Sequence, residues 1–232
     1  MSLLSLITIF AFLSGPSDFN EQADMLLNER VVNGKVNYRA LADNPQPLNS
    51  LYQQIGEVSL AGASDNEKKA FYINAYNIIT IYQIVQHYPV SSPMDIEGFF
   101  DKKEHQVAGK SLTLNELEKG VLFKNYPDPR LHFVLVCAAE SCPPLPSNAF
   151  RAESLVNELQ SKTRQALNNP DFIKVDQAKK QVRLSKIFEW YRADFTENYA
   201  SLLAYVNQYR DEKIPSDYKV SFYEYDWALN EK

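Results

Sequence analysis

Side chains able to carry covalent or proton-transfer chemistry are rare in this chain: 3 His and 2 Cys among 232 residues. One histidine and both cysteines fall together, with His132, Cys137 and Cys142 inside Leu131–Leu145. A thiolate is the nucleophile of thiol chemistry, and a neighbouring base or cation must lower a free thiol pKa of about 8.5 for it to form near neutrality. Histidine is the usual partner. Cys142 follows the apolar run Arg130–Cys137 and sits in a loop stiffened by Pro143 and Pro144. The run reads as a short strand buried on both faces. Such a strand covers about 17–20 Å, and five residues spanning up to ~3.3–3.6 Å each can fold back over that distance. Spacing alone leaves four readings open. The thiols are inert and buried beside a satisfied histidine. Cys137 and Cys142 form a disulfide closing a small loop. Cys142 is a nucleophile with His132 as its base. Or His132, Cys137 and Cys142 hold a metal with Glu140 as fourth ligand.

Two further features can border such a site. Asn74 and Asn77 lie at i and i+3 within an apolar helix, so they share one face. Buried carboxamides need partners, since an unsatisfied one costs on the order of 1–3 kcal/mol. They either tie the helix to a neighbouring segment or donate to a substrate oxygen. Glu116 and Glu118 stand near a helix start, where the dipole favours acids. The sharper reading of the pair is a carboxylate that orients His132. His87 suits a helix C-terminus, and His105, after Lys102-Lys103-Glu104, reads as a surface residue.

The elements that must position these residues are helical in the main. Apolar spacing predicts helices over 17–32, 48–55, 151–167, 185–195 and 198–209. Ser64-Asp65-Asn66-Glu67 is a capping box ahead of Ala70–Tyr88, a run apolar on nearly all sides and therefore a central buried helix. Thr113 or Asn115 caps a helix through Glu116 and Leu122. Hairpins are expected at 106–112, with the turn at Gly109-Lys110, and at 172–184. A last strand is expected at 220–225. The aromatic end, Phe222 to Trp227, is unlike a disordered tail. The expectation is one α+β domain: a central, mostly antiparallel sheet, a long buried helix and surrounding helices.

Composition narrows the function classes. Twenty-four basic against 29 acidic residues leave a net charge of −5, which argues against a phosphate-backbone partner. None of the 7 glycines falls in a phosphate-cradling pattern, so Rossmann and P-loop readings lack their turns. Two cysteines are too few for paired C-x-x-C metal sites. No cofactor is expected. Leu3–Leu13 is apolar but too short to span a bilayer, which needs ~20 residues. It is similar to the h-region of an export signal, although no Lys or Arg precedes it and no A-x-A follows. Residues 1–16 are accordingly read as a signal or hydrophobic segment, 17–232 as the domain, and the chain as exported with no transmembrane anchor. Export would place the cysteines in an oxidising compartment.

Several motifs recur together in one order: Asn74-Ala75-Tyr76-Asn77; Leu112-Thr113-Leu114 with Glu118; Arg130-Leu131-His132-Phe133; Ser141-Cys142-Pro143-Pro144-Leu145; Leu184-Ser185-Lys186-Ile187-Phe188; Trp190-Tyr191 with Asp194-Phe195; and Tyr225-Asp226-Trp227-Ala228-Leu229-Asn230. From about Val36 to Asn230 the chain resembles the domain-of-unknown-function 547 family. The resemblance implies a cysteine-peptidase-like, broadly papain-like arrangement with its members in permuted order. Residue by residue it gives Cys142 as nucleophile, His132 as base and Glu118 as orienting carboxylate, with Asn74, Asn77 and Cys137 bordering the substrate. Ala138-Ala139-Glu140 stands where the family's pattern leads one to expect glycine and serine. The expected activity is a thiol-dependent hydrolase or acyl transferase acting on an amide or thioester, with a small peptide or thiol-containing substrate. The rival expectation is a non-catalytic exported module that binds a peptide or glutathione-like ligand, with the cysteines as a disulfide or as spectators.

Overall fold

The computed structural model describes residues 15–232, so the apolar segment Leu3–Leu13 lies outside the described residues. The chain runs through α1 (Pro16–Arg30), a small hairpin β1–β2 (Val31–Val32, Lys35–Val36), α2 (Tyr38–Asp43), α3 (Gln46–Glu57) and α4 (Asp65–His87). A second hairpin β3–β4 (His105–Val107, Lys110–Leu112) follows, then a π-helix over Glu116–Phe123 and a 3-10 turn over Pro129–Phe133. The remainder is α5 (Leu155–Asn168), β5 (Ile173–Asp176), β6 (Gln181–Leu184), α6 (Ile187–Trp190), α7 (Arg192–Thr196), α8 (Leu202–Tyr209) and β7 (Lys219–Phe222).

Helix α4 is the axis of the molecule. Ser64 Oγ accepts the Glu67 N–H at 3.3 Å while the Glu67 carboxylate accepts the Ser64 N–H at 2.7 Å, satisfying two donors left over at the helix start. Fourteen of its residues are buried, on every side of the helix. An all-round apolar helix must be covered all round, and α1, α2, α3 and the π-helix pack against it.

The chain is α+β, as its patterning implies, but no single sheet lies at its centre. There are three small sheets among the described residues, two hairpins and a three-stranded set in the order β5-β6-β7. In that set β5 and β6 are antiparallel and β6 and β7 are parallel. The expected strand at Arg130–Cys137 is the main correction. Pro129 opens a 3-10 turn in its place, with the Asp128 carboxylate accepting the Arg130 N–H at 3.0 Å and clamping its guanidinium at 2.7–3.2 Å. Its apolar residues are buried as expected, but as an irregular strand-less segment. The run 185–195 breaks at Tyr191 into α6 and α7, and α2 has too little periodicity to stand out in the sequence.

Two apolar cores meet at this segment. Leu131 and Val134–Val136 belong to the core around α4. Phe133 points into the other, among Phe172, Phe188 and Phe195 of the β5–β7 half.

His105 corrects the expectation of a surface position. Strand alternation in β3 turns His105 and Val107 inward and Gln106 outward. Its Nδ1 is hydrogen-bonded to the Tyr52 hydroxyl at 2.9 Å, and its buried Nε2 has no partner. Burial, helped by the nearby Lys103 charge, lowers its pKa from 6.5 to about 4. Below pH 6.5 the unfolded chain therefore binds a proton that the folded chain refuses. Stability from this residue is lost as pH falls from about 6.5 towards about 4. Denaturant midpoints measured across that window should fall less in His105→Gln than in the parent, and equal slopes would mean that His105 does not sense pH.

Candidate functional site

The segment Leu131–Cys142 carries the histidine and both cysteines without a regular ladder to satisfy its backbone. Its partners come from two places. The Asn77 carboxamide donates to the Val134 carbonyl at 2.9 Å and accepts the Val136 N–H at 3.0 Å, as a neighbouring strand would. The C-terminal strap does the rest. Asn230 N–H donates to the Ala138 carbonyl at 3.0 Å, and Glu140 and Ser141 donate to the Ala228 and Asp226 carbonyls at 2.8 and 3.2 Å. Ser141 Oγ accepts the Asp226 N–H at 2.8 Å. Ala138 takes φ 62°, the left-handed region in which glycine is favoured, at a place where the family resemblance leads one to expect glycine. From the other side Gly34 (φ 82°) presses on Pro144, and a Cβ there would lie 2.5 Å from the Pro144 Cβ.

Cys137 and Cys142 are joined as a disulfide with an S–S distance of 2.09 Å. Cys142 Sγ accepts the Cys137 N–H at 3.0 Å. The Tyr225 hydroxyl lies 3.1 Å from the Cys137 sulfur and 3.2 Å from that of Cys142, and disulfide sulfurs can only accept, so Tyr225 is the donor. Burial, then the nearby Tyr223 and Tyr191, push its pKa up, which keeps that proton in place.

His132 is held in a stack of rings, with Phe123 at 4.4 Å and Tyr191 at 4.1 Å between centroids. Its Nε2 is 2.8 Å from Asp194 Oδ2. A carboxylate on Nε2 favours the tautomer with the proton there and leaves the Nδ1 lone pair as the basic site. Asp194 therefore holds the place expected for Glu118. Glu118 is buried in the π-helix, where the wider turn begins with Thr113 and Glu116 bonded reciprocally at 2.8–3.2 Å. Its carboxylate accepts the hydroxyls of Tyr191 at 2.9 Å and Tyr76 at 3.3 Å. Burial and then the Glu118 charge raise both phenol pKa values, so both remain donors.

These groups face one cavity of about 280 Å³ at the seam between the two cores. Glu118, His132, Cys137 and Cys142 all line it, and Phe100, Trp190, Tyr225 and Trp227 supply aromatic walls. Cys142 also borders a second, more polar cavity of about 480 Å³ on the far side of its loop. Two expected site residues are elsewhere. Asn74 bonds Asn20 at 2.8 Å and exchanges two bonds of 2.9 Å with the Phe150 backbone, and Asn77 is used by Val134 and Val136. Both carboxamides are structural ties rather than substrate donors, and neither lines the cavity. Glu140 pairs with Lys35 at 2.7 Å, so it is not directed to a shared metal with the cysteines. Among the described residues no cluster of three or more His, Cys, Asp or Glu is arranged to hold a metal, and no helix is long and apolar enough to cross a membrane.

Asp194, Tyr191, Trp190, Tyr225 and Trp227 had no role assigned from sequence. Their signal was present, since all five sit in the motifs that carry the family resemblance, but nothing in their spacing sets them opposite His132. Residues 60–166 match the model of a family described as proteins of unknown function, DUF547. The matched stretch contains α4, the π-helix, His132 and both cysteines. No curated protein and no solved structure matches the chain.

Removing the Asn77 carboxamide leaves a buried carbonyl and a buried N–H unpaired, each costing about 1–3 kcal/mol. Asn77→Ala should therefore destabilise the chain by about 2–6 kcal/mol in chemical denaturation. Asn77→Asp should also destabilise, because its carboxylate would face the Val134 carbonyl with no proton to donate. A cost below about 1 kcal/mol for the alanine variant would mean that Asn77 does not hold the cysteine segment.

Proposed function

We propose that this chain is a thiol-dependent hydrolase or acyl transferase acting on an amide or thioester, with Cys142 as nucleophile, His132 as base and Asp194 as the residue that orients His132. The observation that carries it is the convergence on one sulfur: Cys142 Sγ receives the Cys137 N–H and the Tyr225 hydroxyl in the same cavity that His132 lines. Two donors on one sulfur stabilise its thiolate. The dithiol is the working form, and the disulfide is its resting state.

Entry to the cycle takes an external dithiol, which is oxidised to its own disulfide as Cys137 and Cys142 are reduced. The Cys142 proton passes to His132 Nδ1. The thiolate attacks the substrate carbonyl carbon, a C–S bond forms, and the carbonyl electron pair moves to oxygen. Collapse restores the carbonyl and breaks the bond to the amine or thiol, which takes the proton from His132. Water, or another acyl acceptor, then gives its proton to His132 and attacks the thioester. This releases the acyl product and returns Cys142 to its thiol. Asp194 keeps the imidazole in one tautomer and balances its charge when protonated.

The closed disulfide favours a second reading, a binding module in which the cysteines staple the cavity wall and do not react. The papain-like arrangement with its members in permuted order, and the exported location, belong with these proposals, as what the family resemblance and the apolar segment Leu3–Leu13 suggest.

The reactivity of the reduced thiols separates the two. Protein purified without reductant should show no free thiol, and mild dithiol treatment should release two. In the reduced protein, iodoacetamide at about pH 6–7 should alkylate Cys142 faster than a thiol of ordinary pKa ~8.5. His132→Ala and Tyr225→Phe should each slow the labelling by roughly tenfold, the effect of one lost interaction with a charged group. Labelling no faster than that of a free thiol would remove the nucleophile and leave the binding module.

A further inference from the structure

We propose that the aromatic cavity binds an organic ammonium group, seated against Glu118 and the faces of the Trp190, Tyr225 and Trp227 cluster. As a statement about substrate this rests on the thiol reading above; as a statement about binding it stands on the cavity alone.

Glu118 is 7% exposed. Its two hydrogen-bond donors, Tyr76 and Tyr191, are neutral phenols, and among the described residues it forms no ion pair. A carboxylate is seldom buried without a countercharge. Among the described residues no Lys or Arg lines the cavity. His132, which can carry positive charge there, already has Asp194 at its Nε2. The cavity therefore offers negative charge and no cation to answer it.

Its walls have the matching chemistry. Tyr225 and Trp227 lie 4.7 Å apart between ring centroids, Trp190 and Tyr225 4.9 Å, and Trp190 and Trp227 6.0 Å. Trp190 is 49% exposed, unusual for so large an apolar side chain, and forms the rim. Aromatic faces attract cations through their quadrupole, tryptophan most strongly. An anionic ligand meets no positive partner here, so a carboxylate-rich, glutathione-like ligand is disfavoured.

Trp190 and Trp227 are the two tryptophans of the chain, so its tryptophan fluorescence reports this cavity directly. The oxidised, disulfide-bonded protein is titrated near neutral pH with phenethylammonium, with neutral phenethyl alcohol and with anionic phenylpropionate. The ammonium should give a saturable change and bind at least roughly tenfold more tightly than either other probe. Glu118→Gln, which keeps an acceptor for one phenol and turns an NH2 donor towards the oxygen of the other, should abolish that preference. The proposal is overturned if phenylpropionate binds as well as the ammonium, if no probe gives a saturable signal, or if Glu118→Gln retains the preference. The probe series uses the unaltered protein, so poor folding of the variant would not shield the proposal. Slow thiol labelling with the ammonium preference intact removes the thiol chemistry and leaves the cavity's ligand class standing.

Discussion

The segment from Leu131 to Cys142 runs buried through the molecule without belonging to a sheet, and its backbone amides must still be paired. Unpaired buried N–H and C=O groups are rare in folded chains because each forfeits its bonds to water. Here the partners are supplied by side chains and by the end of the chain. Asn77 stands in for a strand at Val134 and Val136, and residues 226–230 bond to residues 138–141. Tyr38 adds a 2.8 Å bond to Asn230, fastening the strap to the first half of the molecule. The position of the two cysteines thus depends on contacts from distant parts of the sequence, and an irregular loop gains the definition of a regular element.

The same segment is where two cores meet, and that seam is what makes a cavity. Successive residues are committed to opposite sides, Leu131 to the α4 core and Phe133 to the β5–β7 core. His132 is left between them, with rings from each half against it: Phe123 from the π-helix, Tyr191 and Phe195 from the second half. Neither half alone contains the site. Glu118 and Tyr76 come from the first, Asp194, Tyr191 and Tyr225 from the second, and the Tyr191–Glu118 bond crosses the seam at 2.9 Å.

What the sequence discloses follows the range of the interaction concerned. The capping box at Ser64 and Glu67, the apolar wrap of α4 and the hairpin β5–β6 are local patterns, and the fold keeps each of them. Asn74 and Asn77 announce buried carboxamides that need partners, but whether those partners are backbone or substrate is decided 57 to 76 residues away. The apolar run after Pro129 has the composition of a buried strand, yet a strand also needs a neighbour, and composition carries no information about that. The β3–β4 turn falls at Ala108-Gly109, both with positive φ, one residue before the Gly109-Lys110 pair that composition favours. Glu118 and Asp194 show the limit most clearly. Both are acids in motif-rich stretches, and the choice of which one meets His132 lies in a contact 62 residues apart in the chain.

Charge ties the parts of the cavity together. On the proposed thiol reading, Glu118 in the cavity wall and Asp194 on His132 add two carboxylates around a thiol that must ionise to react, and like charges oppose that ionisation. The Cys137 N–H, the Tyr225 hydroxyl and a protonated His132 act in the other direction. On that reading Tyr225 serves both redox states: its hydroxyl donates to the joined sulfurs and would donate to a thiolate in the reduced form, and burial raises its pKa. A thiolate–imidazolium pair beside two carboxylates still leaves the site with an excess of negative charge. A ligand bearing an ammonium group would supply the missing positive charge next to Glu118. By doing so it would also stabilise the thiolate that attacks it. Recognition and nucleophile activation in this cavity then draw on one electrostatic imbalance, set by a buried carboxylate whose partners within the protein are two neutral phenols.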